Sequence, residues 1–446
     1  MITMTSLRTP LLLAVFAAST TARVAYANGR YPATNQILVQ PGNAARLALR
    51  TTFGVLRSDD SGKTWDWVCE KAVGYAGVVD PAFVWHRNGE LVAGLFDGLA
   101  TADEASCTWT SSATIGKQVV VDVSTANADA TSLDALTGGY DPTSPTGDPG
   151  YISAVWSTAG DARTWTQTSS LMPRDVIVES FDRAPSDPQR IYVTGEAESG
   201  TELSGVILVS RDGGQSWTRK AFALDTATER SVFLAAIDPR RPDRLYVRTS
   251  ATDAGRVLVS DDAGDSFRVV WSGSAPQGFA INGDGSTVWV GAFNEGLARA
   301  SSTDFAFTNV NRVPIGCLRY AEGALYACSL DAYGFAAARS DDEGRTFEPL
   351  LHLTSIRGPR VCGADAGQSV CAAEWPIVKA NVGIVDAVDA GAVPVFDAGT
   401  TPPASTSRSC GCAVVGAADE NKSATAAWLV AGATVALVRK RRRITS

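Results

Sequence analysis

The chain has 446 residues, 45% hydrophobic and 19% charged, with 39 Lys and Arg set against 47 Asp and Glu for a net charge of −8. This balance excludes a broad nucleic-acid surface, which needs clustered Lys and Arg; the one dense basic run, RKRRR, lies at Arg439–Arg443. Only two histidines occur, His86 and His352, each isolated, which argues against zinc chemistry and histidine-based triads, and no cofactor or metal is expected.

At the N-terminus, Arg8 precedes the apolar run LLLAVFAA (Leu11–Ala18), and Ala25-Tyr26-Ala27 offers a small-x-small cleavage site before Asn28. Residues 1–27 therefore read as a secretory signal peptide, with Thr20-Thr21-Ala22 as an alternative cut. Export makes disulfides favourable for the six cysteines of the body, Cys69, Cys107, Cys317, Cys328, Cys362 and Cys371. In CLRYAEGALYAC a two-residue turn at Glu322-Gly323 sets Cys317 opposite Cys328, within bonding range. Proximity then pairs Cys362 with Cys371 and leaves Cys69 for Cys107.

Downstream, one short pattern recurs. SDDSGKTW (Ser58–Trp65) returns as SRDGGQSW (Ser210–Trp217), SDDAGDSF (Ser260–Phe267) and SDDEGRTF (Ser340–Phe347). Weaker copies end at Trp109, Trp165 and Phe307, so that seven aromatics follow one another at intervals of 44, 56, 52, 50, 40 and 40 residues. A period of roughly 40 to 50 residues marks a propeller or solenoid. From Val232 the unit reads VFLAAIDP, DRLYVRTS, GRVLVSDD and SFRVVW, four short β-rich runs separated by Pro, Gly and Asp. Such a four-stranded meander has two faces to bury. Seven packed radially bury them, which predicts an all-β, seven-bladed propeller of four-stranded antiparallel blades, within residues 28–353.

The repeated motif falls between the third and fourth strands of each unit. Its Gly (Gly62, Gly214, Gly264, Gly344) suits a tight turn, and its Asp (Asp60, Asp212, Asp262, Asp342) is suited to accept backbone N–H groups there. The closing Trp or Phe then packs inward. A catalytic group is needed once per site rather than once per blade, so these aspartates read as structural, and one side chain supplies too few oxygens for calcium. The pattern S-x-D-x-G-x-[T/S]-[W/F] resembles the Asp-box, or bacterial neuraminidase repeat, of sialidases, sortilin-type receptors, some endoglucanases and photosystem assembly factors. Its seven copies together cover about two-thirds of the chain. The resemblance implies a propeller with these turns at the periphery and implies no single activity.

A sialidase-like enzyme would carry an arginine-led motif before the first box to grip a substrate carboxylate. RYPA at Arg30–Ala33 stands in that place, but LALRTTFGVLRSDD lacks the acidic residue expected before the box. Arg174, Arg230, Arg312 and Arg360 fall just before expected innermost strands, where a channel mouth could gather them with Arg30. No nucleophile pair can be assigned. The favoured reading is a non-catalytic binding or scaffold module, a monomer, for an extracellular glycan or protein; a carbohydrate-active hydrolase is the alternative. The stretch ANADATSLDALTGGYDPTSPTGDPG (Ala126–Gly150) reads as a polar surface insertion.

After the last blade, residues 354–384 read as a disulfide-tied cap and 385–409 as a flexible linker rich in Ala, Asp, Pro, Gly, Ser and Thr. Cys410 and Cys412 then precede a 16-residue uncharged run (Ser423–Val438) and the basic cluster. This order is similar to the myxobacterial C-terminal sorting signal. The resemblance implies that 410–446 form a processed address, with lipid on Cys410 or Cys412, or else a membrane helix, anchoring an exported protein at the cell surface.

Overall fold

The computed structural model describes residues 31–385, apart from 78, 142, 144–149, 200–201, 252–253 and 363–366. The expected signal peptide, Arg30, the expected linker beyond 385, Cys410 and Cys412 lie outside the described residues.

Seven four-stranded sheets follow one another along the chain, each paired in sequence order and antiparallel throughout. They form the blades of a seven-bladed propeller. Their innermost strands are Thr34–Gln40, Ala82–Trp85, Val120–Thr125, Val176–Arg183, Glu229–Ile237, Pro276–Ile281 and Cys317–Ala321, for blades 1 to 7. Seven apolar clusters fill the seven junctions between neighbouring blades. Leu38, Val55, Phe83 and Leu91 belong to the junction of blades 1 and 2; Tyr192, Ile207, Val232 and Leu245 belong to that of blades 4 and 5. The alternation of strand side chains makes this possible, since each blade offers an apolar face to both neighbours.

The repeated turn works at those junctions. In blade 1 Ser58 Oγ accepts the Gly62 N–H (2.9 Å) and donates to Asp60 (2.8 Å), while Asp60 accepts both the N–H (2.9 Å) and the hydroxyl (2.6 Å) of Thr64. The same four bonds recur at Ser210/Asp212, Ser260/Asp262 and Ser340/Asp342. Those three carboxyls, held in their charged form by these donors, are drawn down to about 2. In the weaker copies a shifted aspartate takes the turn: Asp103 accepts from the Cys107 N–H (2.8 Å) and Asp161 from the Thr164 N–H (3.0 Å). The closing aromatic reaches back to the preceding blade. Trp65 Nε1 donates to the Leu350 carbonyl of blade 7 (2.8 Å), and the Phe267 ring of blade 5 meets Phe222 of blade 4 edge to face at 5.2 Å.

Ring closure does not use strand exchange, since every blade is built from consecutive strands. Instead, the chain leaving blade 7 runs along the outer strand of blade 1 (Asp66–Val68). The Trp67 N–H donates to the Gly358 carbonyl (2.8 Å) and the Arg360 N–H to the Trp67 carbonyl (2.8 Å), a short parallel addition. The helix Gly367–Asn381 then packs its Trp375 on Trp67, ring centroids 5.6 Å apart.

Two expectations are corrected here. Cys317 does pair with Cys328, its neighbour in register, but the other bridges are Cys69–Cys371 and Cys107–Cys362. Closing the ring brings Arg357, Arg360, Cys362 and Cys371 against blades 1 and 2, so spatial proximity replaces proximity in sequence. The stretch 126–150 is not one long loop either. Ser132–Tyr140 is the second strand of blade 3, with Leu133, Ala135 and Leu136 fully buried. Its Gly, Thr and Asp content hid an ordinary strand whose flanks are small residues.

Candidate functional site

An antiparallel blade has two ends. The loops from second to third strand, and from each outer strand to the next blade, share the face where the innermost strands begin. The repeated turns lie at the opposite end. On the first face the central channel opens as a cavity of about 260 Å³, lined by Arg50, Asp80, Ala82, Val121, Asp122, Glu179, Ser180, Phe233, Leu234 and Arg248. These residues come from blades 1 to 5 and the loop between the first two.

Irregular innermost strands shape this mouth. The ladder of blade 4 slips between Val178 and Ser180, so Glu179 is an extra residue; blade 3 slips in the same way around Val121, and blade 5 around Ala235. Such bulges bend a strand and re-aim its side chains.

The ionisable groups divide into two kinds. Some stitch one innermost strand to the next. Asp122 accepts the Phe181 N–H of blade 4 (3.2 Å) and the Val123 N–H (2.9 Å), and deeper in the channel Ser124 donates to Asp182 (2.7 Å). Burial nevertheless pushes Asp122 up to about 7 and Asp182 to about 6. Arg50 is likewise committed, with Nε on Asn35 Oδ1 (2.7 Å) and Nη1 on the Pro81 carbonyl (3.1 Å).

The others face the channel uncommitted. The Glu179 carboxyl has no hydrogen-bond or ion-pair partner among the described residues, and burial, aided by Glu196, pushes it up to about 8. It is therefore mostly a neutral acid at pH 7, able both to donate and to accept. Arg248 lies over the Phe233 ring, 4.9 Å from its centroid, with one long bond to the Pro276 carbonyl (3.4 Å). Its guanidinium is lowered to about 10 by burial and by Arg50. Arg319, on the innermost strand of blade 7, is lowered by burial and partly restored by Asp182 of blade 4. Arg319 is exposed, stands on an innermost strand and feels the Asp182 charge across the ring, so it faces the channel.

The arginines nominated from the sequence do not gather here. Arg174 pairs with Asp141 (3.1 Å), and Arg230 donates to the Thr226 carbonyl (3.0 Å) within its own turn. Arg312 sits exposed in the loop before blade 7. The placement of Arg360 before an innermost strand is corrected: it lies on the outer rim, bonded to Asp59 (2.6 Å), to Asp66 (3.4 Å) and to the Ala105 carbonyl. Among the described residues no eighth blade follows it, so its chain position had no channel to lead to. His86 and His352 also stand apart; His86 Nδ1 accepts the Asn88 N–H (3.3 Å) and His352 Nδ1 meets Asp331 (2.8 Å). Among the described residues no group of three His, Cys, Asp or Glu is placed to hold a metal, and no helix is long and apolar enough to cross a membrane.

Sequence reasoning missed Asp122, Glu179, Arg248 and Arg319. A signal existed: each interrupts a run that otherwise reads as buried strand, VVVDVS, VIVESF, LYVRTS and CLRYA. A charge in mid-strand announces a polar space beside it.

No protein-family model matches the chain, and no curated protein does. Solved structures with a similar fold include an ancestral GH74 enzyme (16% identity, TM-score 0.42, over 64% of this chain and 38% of that one). Another is the GH74 xyloglucanase from Xanthomonas campestris (14%, 0.35, over 70% and 64%). A third is described as the extracellular domain of a one-component system from B. thetaiotaomicron (12%, 0.44, over 66% and 37%). The matched region thus spans less than two thirds of each of these chains. At such scores the likenesses bear on neither activity nor ligand.

Proposed function

We propose that this chain is an exported, surface-held binding module whose ligand seats in the channel mouth, and that it performs no catalysis. The observation that carries the reading is the polar cavity itself, where Glu179 and Arg248 face a space that no side chain among the described residues fills. Glu179 lacks a partner among the described residues and Arg248 has one long bond, so a ligand that supplies further partners recovers the cost of leaving these groups short of them. Against turnover, glycoside hydrolysis uses two placed carboxyls, whereas Asp122 and Asp182 already accept hydrogen bonds that hold neighbouring strands. Glu179 alone is uncommitted. The three disulfides are consistent with an extracellular location, and the C-terminal signal supplies the anchor.

The test is to screen the full chain for binding and turnover against glycans and extracellular proteins. Binding that Arg248→Met and Glu179→Leu abolish, without turnover, supports the module. Turnover that Glu179→Gln abolishes overturns it in favour of a hydrolase.

A further inference from the structure

The channel-mouth face carries a second feature that narrows the ligand's chemistry. Four aromatic side chains among the described residues are at least half exposed: Tyr31 (66%), Phe96 (55%), Tyr140 (54%) and Tyr333 (50%). All four lie on one face. Phe96 and Tyr333 stand in the second-to-third-strand connections of blades 2 and 7, and Tyr140 ends the second strand of blade 3 at the same connection. Tyr31 precedes blade 1, its carbonyl accepting the Thr52 hydroxyl of the equivalent connection (3.0 Å). Two of the rings are braced by neighbours: Tyr140 against Tyr151 at 6.1 Å and Tyr333 against Phe293 of blade 6 at 6.0 Å, both edge to face. The face of the repeated turns presents no comparably exposed aromatic among the described residues.

The rings stand one to a blade on the four consecutive blades 7, 1, 2 and 3 beside a polar opening, which is unlike the single contiguous apolar patch of a protein docking surface. Arg50 is held on Asn35 and the Pro81 carbonyl and Asp80 on Asn35, so the mouth offers a ligand one guanidinium, Arg248, beside the neutral acid of Glu179, too few charges to gather a polyanion or a polycation. Its volume of about 260 Å³ is below that of pockets for drug-sized ligands, roughly 300 Å³ and more, and admits one small ring-sized unit. A ligand that fits has flat C–H faces for the rings, hydroxyls for the mouth, and several such units in a chain.

Resting on the binding-module reading, we propose that this face binds an uncharged oligosaccharide. One sugar unit occupies the mouth, its hydroxyls on Glu179 and Arg248. Neighbouring units lie across the loops and stack on the exposed rings, Tyr140 and Phe96 on one side and Tyr333 on the other.

The experiment is calorimetric titration of the full chain with short cello-, xylo-, manno- and chito-oligosaccharides, repeated for Tyr140→Ala, Tyr333→Ala and Arg248→Met. The expected result is binding of at least one series. Each tyrosine variant should weaken it about threefold to tenfold, the scale of one lost aromatic contact, and Arg248→Met about tenfold or more. The tyrosines are exposed, so these variants should melt like the parent, and folding does not confound them. Saccharide binding that neither tyrosine variant weakens overturns the stacking face. Absence of saccharide binding, while a protein ligand binds in an Arg248-dependent way, overturns the sugar class and leaves the module standing. Failure of every ligand tried to depend on the mouth overturns both.

Discussion

Cys362, in the segment beyond the last blade, is bonded to Cys107 in the outer turn of blade 2, 255 residues earlier. With Cys69–Cys371, which spans 302 residues, it straps the end of the chain across the blades where the ring begins. Because the ends share no strand within a blade, the ring closes by junction packing and the short parallel addition at Trp67. Here the strap adds covalent closure, and around it Arg360 bonds to Asp59 and Asp66 while Arg357 bonds to Asp66.

The strap should set thermal stability. With Cys69–Cys371 intact, Cys107–Cys362 closes an effective loop of roughly 50 residues, worth about 3 to 4 kcal/mol in the chain-entropy account. The double variant Cys107→Ala/Cys362→Ala should therefore lower Tm by roughly 5 to 10 °C. Cys317→Ala/Cys328→Ala opens a loop of only 11 residues and should cost less. Calorimetry compares them; equal losses would contradict ring closure by the strap.

Ser210 is fully buried and gives its oxygen to the Gly214 N–H at 2.7 Å. Ser210→Ala leaves that buried N–H without its acceptor and should cost about 1 to 3 kcal/mol. Chemical denaturation measures it directly.

Ser61 sits just before the turn glycine with φ of 63°, a left-handed conformation that blade 4 gives to Gly213. Ser61 is exposed, and its backbone N–H bond to the Ala45 carbonyl (2.8 Å) survives substitution. Ser61→Gly should therefore stabilise the fold by about 0.5 to 1 kcal/mol. A fall in Tm would show that the serine side chain contributes more than the strain it carries.

Stability should peak in mildly acidic solution. Asp212, Asp262 and Asp342 fall from 3.8 to about 2, so their contribution is present above pH 4 and lost as pH drops toward 2. Glu179, Asp122 and Asp182 are raised to about 8, 7 and 6, so the folded state holds more protons than the unfolded one from about pH 4 upward. Their contribution is full below pH 4 and is lost as pH rises through those values. Tm measured from pH 2 to 9 should fall on both sides of about pH 4 to 6. Glu179→Gln should flatten the alkaline side, and an unchanged alkaline side would place the cause elsewhere.

The blade count, the turns and the Cys317–Cys328 bridge were legible in the amino-acid sequence because each is local. Strand period, turn glycine and hairpin register all act within one blade's length of chain. The serine and aspartate of each repeated turn bond within four residues of themselves. Hence a motif read one copy at a time describes every copy. The strap and the mouth belong to another scale. Cys69 finds Cys371, and Glu179 shares a cavity with Arg50 and Arg248, only after seven blades have bent into a ring. Their closeness is set by the summed twist and packing of every junction, a quantity no short stretch encodes. The sequence by itself determined what each blade is; the closed ring decided which residues of different blades face one another.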